Sequence, residues 1–274
     1  MDINTDTLLK FFAEYIEKEL GIMYSEANYF QLEHRLKDLS HQLGYQTLHD
    51  FYLQTKVGLS LKEKNILLDT ATNNETSFFR DVTVFKAISE YMIPELLKGG
   101  FKSQFNIWSA ASSSGQEIYS ILMEISELRK TLTFPTVKAL ASDISDLILT
   151  KAQKGIYSKL EADRGLPVPL KNRYFDQLSE DQFQVKSELK NLIDWRKLNL
   201  LHDWGAIGNF DIIFCRNVLI YQSVPNKAKV IEEIWKRLNP KGFLVLGAAE
   251  SLFGISDKFT QVSASGAIIH QKKD

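Results

Sequence analysis

Phe105-Asn106-Ile107-Trp108-Ser109-Ala110-Ala111-Ser112-Ser113-Ser114-Gly115-Gln116-Glu117 is the stretch from which the fold is read. Phe105–Trp108 is a short apolar run suited to a buried strand, Ser109–Gly115 is built of small residues, and Glu117 opens a helical stretch to about Leu128. Strand, small-residue turn and helix make one βα unit. Further strands are predicted at Val137–Ala141, Phe210–Cys215 and Phe243–Leu246, with helices near Asp146–Lys154 and Pro225–Leu238. Runs near Phe259–Val262 and Ala267–His270 predict an antiparallel hairpin at the sheet edge. This alternation reads as an α/β fold around a parallel sheet. The helix ending near Leu238 is expected to stop at the breaker cluster Asn239-Pro240-Lys241-Gly242. Between Gly155 and Trp195 the rhythm lapses, with Pro167, Pro169 and a short alternating piece at Gln182–Lys186, so an insertion with a small sheet of its own is expected there.

Upstream the grammar is helical. Leu32, Leu36, Leu39 and Leu43 form one apolar stripe with Gly44 as the stop, and Leu8, Phe12, Tyr15 and Ile16 form another. Ser60 followed by Glu63 predicts a capping box opening a helix through about Ala71. At 274 residues and 44% hydrophobic content, the chain can bury a core without help from metals or disulfides. Its single cysteine, Cys215, excludes an intramolecular disulfide and fits a reducing compartment. The start, MDINTDTLLKFF, lacks an export signal, and no apolar run approaches the roughly 20 residues that span a bilayer, so a cytoplasmic protein is expected. A net charge of -1, with seven Lys/Arg against eleven Asp/Glu in residues 1–70, argues against a nucleic-acid partner.

In an open α/β sheet, ligands bind beyond the carboxyl ends of the strands. After the first strand, small residues and a helix N-terminus allow close backbone approach to a ligand, though a plain tight turn explains them equally well. There is no G-x-G-x-x-G, which counts against a nicotinamide dehydrogenase. After the second strand, Asp143 stands where an adenosine cofactor presents its ribose hydroxyls; helix N-capping by Asp143 and Ser145 competes with that reading. Arg216, Asn217 and Tyr221 set polar groups at the end of the fourth strand, beside a Cys215 that reads as a small buried hydrophobe. Asn73–Asp81 joins the two regions, either as a ligand lid or as a capped connection in which Asp81 opens the next helix and Phe78 and Phe79 pin the domains together.

Taken in order, Asn74-x-Thr76-x-Phe78-Phe79-Arg80, Trp108-Ser109-Ala110-Ala111 with Gly115-x-Glu117-x-Tyr119-Ser120, Ala141-Ser142-Asp143-Ile144, Gly155-Ile156-Tyr157 and Phe210-Asp211-x-Ile213-Phe214-Cys215-Arg216-Asn217-Val218-x-Ile220-Tyr221 closely resemble the CheR-type chemotaxis protein methyltransferases. The likeness runs from roughly residue 8 to residue 271. It implies a class I S-adenosylmethionine-dependent methyltransferase sheet, a helical N-terminal domain over 1–72, a linker and first helix over 73–100, and a catalytic domain over 101–274 with an antiparallel β-subdomain inserted at about 157–195. It implies S-adenosylmethionine as cofactor, S-adenosylhomocysteine as product, and transfer of the methyl to glutamate side chains of a methyl-accepting chemotaxis receptor. Asn74, Thr76 and Arg80 match the linker contacts to the cofactor, Glu117 the first-helix carboxylate, and Asp143 the ribose-binding acid. Asn199 and Leu200 match the adenine-side pair, Cys215 and Arg216 the fourth-strand contacts, and Arg80 and Tyr221 the residues beside the methyl group. No metal ligand set is implied, and the membrane is met only through the receptor.

Three departures from the family bear on the protein substrate. The second helix carries Arg35, Lys37 and His41 rather than a row of arginines, Ala248-Ala249-Glu250 replaces His-Ser-Glu, and Gln177 stands where arginine is frequent. The stretch Phe175–Val185 has no glycine, is acidic at Asp176, Glu180 and Asp181, and is about three residues shorter than in relatives that bind a receptor's C-terminal pentapeptide as an added strand, so no such tether is expected. The alternative to an enzyme is a non-catalytic S-adenosylmethionine-binding sensor or scaffold.

Overall fold

The computed structural model describes residues 4–98, 103–133 and 135–273, so the last two residues of the 73–100 span and parts of 101–274 lie outside the described residues. The chain divides into two units, one of residues up to Asn73 together with Tyr221–Lys227, the other of Asn74–Ile220 and Ala228 onward. Tyr221–Lys227, read from sequence as part of the catalytic domain, thus groups with the helical unit.

In the helical unit, the Ser60 capping box forms: the Ser60 hydroxyl accepts from the Glu63 N–H at 3.3 Å, and the Glu63 carboxylate accepts from the Ser60 N–H at 2.9 Å. That box opens the helix Leu61–Ala71, and a second box, Thr47 with Asp50, opens Leu48–Val57. Together with Thr5–Leu20 and Tyr29–Gln42 these helices enclose Phe12, Ile16, Leu32, Leu36, Leu39, Phe51 and Leu67, all buried. Leu43 lies beyond the end of its helix and is half-buried, so the stripe closes at Leu39. Arg35 caps a neighbouring helix end, donating to the carbonyls of Thr70 (3.4 Å) and Thr72 (3.5 Å). Tyr221 enters this unit through its carbonyl, which accepts from the Met23 N–H at 2.9 Å.

The second unit is built on a seven-stranded sheet. In chain order the strands are β1 (Gln104–Ala110), β2 (Thr136–Asp143), β3 (Ile156–Ser158), β4 (Phe175–Gln177), β5 (Gln182–Val185), β6 (Ile193–Lys197), β7 (Phe210–Cys215), β8 (Leu238–Leu246), β9 (Phe259–Ala264) and β10 (Ala267–Lys272). The large sheet has the order β6-β2-β1-β7-β8-β10-β9, parallel except where β10 runs antiparallel to β8 and β9. The closing hairpin is therefore at the sheet edge, as the sequence predicts. Side chains alternate between two apolar layers, Ile107, Ile212, Phe214 and Phe243 on one face and Trp108, Ile213, Cys215 and Leu244 on the other.

Two sequence expectations are corrected. The last helix ends at Arg237 and β8 begins at once, so Asn239–Gly242 interrupts a strand rather than separating a helix from one. The pairing jumps from Phe210↔Leu238 to Ile212↔Phe243, a bulge that takes in Lys241 at φ 60°. A Cβ at Gly242 would lie 2.9 Å from the Asn239 carbonyl and 3.0 Å from that of Asp211, which is why glycine stands there. The second correction is that the insertion ends before Trp195, because Ile193–Lys197 is β6 and pairs parallel with β2. Its own three-stranded antiparallel sheet, β3-β5-β4, covers the earlier part.

The insertion is held to the main domain by polar ties. The buried Tyr157 hydroxyl donates to the Ser114 carbonyl at 2.6 Å, beside the turn after β1. Glu127, at the end of the helix Gln116–Leu128, accepts from Tyr174 at 2.6 Å, from Lys130 at 2.6 Å and from Arg173. Burial raises the Glu127 pKa, but bonds from Arg173, Lys130 and Tyr174 outweigh it and bring the group from 4.5 to about 2. A folded-state pKa below the unfolded one stabilises above the unfolded value, and this stability is lost as pH falls through the folded value. Glu127→Gln should therefore lower the melting temperature at pH 7, with the gap to the parent closing between pH 4.5 and about 2. Melting curves across that range check it, and a gap independent of pH would contradict it.

Candidate active site

The parallel strands β2, β1, β7 and β8 end along one edge, and their next residues build the site. After β1 the chain turns through Ala111 (φ 55°), Ser113 (φ 49°) and Gly115 (φ 90°) into the helix Gln116–Leu128. A Cβ on Gly115 would sit 3.1 Å from Ala152 and from Trp195, so the turn needs glycine for space as well as for conformation. The turn wraps the end of β2. Asp143, 6% exposed, accepts from the Ser113 N–H at 2.9 Å and the Ser145 N–H at 3.1 Å, so backbone donors from two loops fix its carboxylate at the rim. The N-cap of the helix Asp146–Lys154 is Ser145, whose hydroxyl accepts from Ile148 at 3.1 Å. The capping role weighed from the sequence thus falls to Ser145.

Arg216 follows β7 with its side chain 2% exposed, and a guanidinium so buried requires anionic partners. Glu117 approaches at 3.0 Å, Asp81 also pairs with it, and the Arg80 carbonyl accepts from it at 3.2 Å. Glu117 in turn accepts from the Ser109 hydroxyl at 2.8 Å. The Arg216 side chain therefore ties the linker to the helix Gln116–Leu128. Asp81 holds the N-cap position of Val82–Ala87 at φ 64° but makes no side-chain cap; its carboxylate serves Arg216 instead. Phe79 is also left-handed, at φ 48°, and its N–H donates to Ser120 at 3.0 Å. Left-handed residues other than glycine are costly, about 1–3 kcal/mol each, and of the seven among the described residues five, Phe79, Asp81, Ala111, Ser113 and Asn217, lie along this edge or its linker.

The remaining sequence-predicted residues are placed as follows. Asn74 meets the turn through its carbonyl, which accepts from the Ser113 hydroxyl at 2.9 Å; Thr76 is half-buried nearby in sequence. Arg80 is half-buried, and its guanidinium donates to the Glu75 carbonyl at 3.4 Å. Phe78 is buried against Tyr157 and Phe175 of the insertion, at 4.9 and 5.5 Å between ring centroids. Asn199 and Leu200 follow β6: the Asn199 amide oxygen accepts from Leu201 at 2.9 Å, and the loop meets the rim where the Leu198 N–H donates to the Asp143 carbonyl at 2.9 Å. Cys215 is fully buried, and burial pushes its thiol pKa well up, so it is no nucleophile. Tyr221 belongs to the helical unit, where its hydroxyl accepts from the Asn73 amide at 2.9 Å.

Asp81 and Glu250 were not singled out as site residues from sequence. Asp81 carries the signal of a helix cap, and Glu250 only that of a family motif; the Arg216 partner of Asp81 and the Asn217 and Ile220 partners of Glu250 are distant in sequence. Among the described residues there is no acidic, His or Cys cluster able to hold a metal, and no helix long and apolar enough to cross a membrane.

The cradle suits an adenosine-type cofactor: an oriented carboxylate at the end of β2, a small-residue turn with left-handed backbone, and the buried Ser112 hydroxyl, which finds no protein partner. The family model for the S-adenosylmethionine-binding domain of CheR methyltransferases matches residues 74–268. A chemotaxis protein methyltransferase of Vibrio parahaemolyticus is 37% identical over 96% of this chain and 95% of its own length. Chemotaxis protein methyltransferase 1 of Pseudomonas aeruginosa is 37% identical over 96% of each chain. Among solved structures, magnesium protoporphyrin IX methyltransferase from Synechocystis PCC 6803 with bound S-adenosylmethionine matches 78% of this chain and 83% of its own, at 13% identity and a TM-score of 0.37.

Charged hydrogen bonds contribute about 1.5–3 kcal/mol each, so Asp143→Ala should weaken S-adenosylhomocysteine binding at least about tenfold, with Asp143→Asn as the near-isosteric control. Calorimetry measures this, and parental affinity in the alanine variant would show that the ribose does not sit on Asp143.

Proposed function

The chain belongs to the CheR methyltransferase family, and on that premise we propose that it works in the cytoplasm, esterifying glutamate side chains of methyl-accepting chemotaxis receptors. The observation that carries this reading is the Arg216 tie, which fixes the backbone of Arg80 and the carboxylate of Glu117 at the edge where Asp143 is oriented.

When bound, S-adenosylmethionine supplies a methyl group on a sulfonium, open to in-line displacement by an oxygen anion. A glutamate carboxylate, with an ordinary pKa near 4.3, is more than about 99% ionised at pH 7, so the protein needs no general base. Its residues have to hold, align and desolvate. Asp143 accepts the ribose hydroxyls, and Glu117 and the turn after β1 hold the remainder of the cofactor. Arg80 pairs with the incoming carboxylate and strips water from it; among the described residues its guanidinium donates to the Glu75 carbonyl at 3.4 Å. Tyr221 is assigned to the methyl-transfer axis on resemblance alone. Holding the reacting atoms about 3–3.5 Å apart contributes up to roughly 7–11 kcal/mol in the best cases.

Recognition of the receptor rests on its methylated helices rather than on a tail peptide. Between β4 and β5 the turn is closed, with Leu178 N–H donating to the Gln182 carbonyl at 2.8 Å; Glu180 and Asp181 are exposed on it, and Asp176 is exposed on β4 beside it. An acidic peptide meets like charge there.

With tritiated S-adenosylmethionine and receptor-bearing membranes, the protein should place base-labile label on a receptor band, equally on a receptor without its C-terminal tail. Arg80→Ala should cut this turnover at least about a hundredfold while loosening S-adenosylhomocysteine far less. Cofactor binding without label on any receptor would favour a sensor, and equal losses of binding and turnover would make Arg80 a cofactor contact only.

A further inference from the structure

Glu250 is only half-buried, yet its carboxylate accepts three main-chain hydrogen bonds at the ends of two parallel strands. One oxygen takes the Asn217 N–H at 2.8 Å and the Gly247 N–H at 2.7 Å; the other takes the Ile220 N–H at 3.2 Å. Asn217 follows Arg216 beyond β7, and Gly247 follows β8, in strands whose register pairs Cys215 with Leu246. A Cβ on Gly247 would lie 2.7 Å from the Asn217 amide nitrogen, 2.9 Å from its backbone nitrogen and 2.9 Å from Glu250. No side chain fits between the two loops. Asn217 itself is held at φ 60°, a conformation that asparagine tolerates but does not keep without support.

The location gives this clasp a function. In the order β6-β2-β1-β7-β8, the ribose carboxylate Asp143 is on the β2 side of β1, and the clasp joins the loops of β7 and β8 on the other side. With the ribose at Asp143 and the cofactor reaching the end of β7 at Cys215 and Arg216, the side left for the methyl acceptor is that of the loops beyond β7 and β8. We propose that Glu250 is a positioning residue for methyl transfer, acting through Asn217: its carboxylate locks the loop Asn217–Ile220 against Gly247 and so sets the acceptor side of the site. Ala248 and Ala249 are exposed, so Glu250 is the residue of that loop that reaches back to the strand ends. The inference rests on the proposed methyl transfer for its kinetic consequence, and on geometry alone for the clasp.

Glu250→Gln replaces one acceptor oxygen by a donor that faces a main-chain N–H, and Gly247→Ala wedges the loops apart without touching the carboxylate. Hydrogen–deuterium exchange should accelerate at least about tenfold in 216–221 and 246–248, while the segments carrying Ser113 and Asp143 keep their protection. For both variants kcat should fall at least about tenfold, with the Kd for S-adenosylhomocysteine within about threefold of the parent. Unchanged local exchange, a kcat within about twofold of the parent, or cofactor affinity lost in step with turnover would each overturn the proposal. Should Glu250→Gln fail to fold, Gly247→Ala and Glu250→Asp decide by the same readouts. A parent that labels no receptor refutes the proposed function instead, and exchange then decides whether the clasp exists.

Discussion

One buried cation organises the site. The Arg216 guanidinium is almost wholly removed from water and is accepted only because Glu117, Asp81 and the Arg80 carbonyl surround it. Removing one partner of such a group costs about 3–5 kcal/mol, because the other charge is left buried without a counterpart. The three partners come from the linker and from the helix Gln116–Leu128, so the tie closes only once β1 and β7 are paired and the linker is seated. It also holds the backbone of Asp81 in a conformation that costs energy by itself, and with it the peptide of Arg80.

Around that cation the other charges are committed in the same manner. Asp143 is fixed by the N–H groups of Ser113 and Ser145, and Glu250 by those of Asn217, Gly247 and Ile220. Carboxylates that accept several backbone donors have little freedom to reorient, so the strand ends form a preorganised frame. Within it Arg80 stands apart: among the described residues its guanidinium has one long bond, to the Glu75 carbonyl. Rigid acids on a fixed frame and one loosely held arginine are an arrangement suited to aligning an anion with a bound cation.

What could be read from the sequence follows from how local each cause is. The strand at Phe210–Cys215, the turn of small residues after Trp108 and the capping box at Ser60 are set by neighbours in the chain, and the structure has all three. Asn239–Gly242 has the composition of a helix-ending turn, yet the edge of β7 recruits it into a bulged strand, a tertiary effect that no local pattern carries. Ile193–Lys197 is only partly buried and short, so composition alone does not separate it from the irregular insertion, and only the resemblance places a strand before Asn199. At the site, Asp143 is marked by its place after the second strand, with helix capping as the competing reading, and Glu117 only by the family resemblance. The partners of Arg216, and those of Glu250 other than Gly247, are not marked, since these bonds join residues far apart in sequence.

The central claim is that Arg216 and Glu117 form one energetic unit within the fold rather than two separate ligand contacts. A double-mutant cycle of Arg216→Met and Glu117→Gln, followed by urea unfolding without cofactor, measures this directly. The account predicts a coupling of at least about 1 kcal/mol, with the double variant less destabilised than the two single changes added together. Additive effects, with coupling indistinguishable from zero, would contradict it.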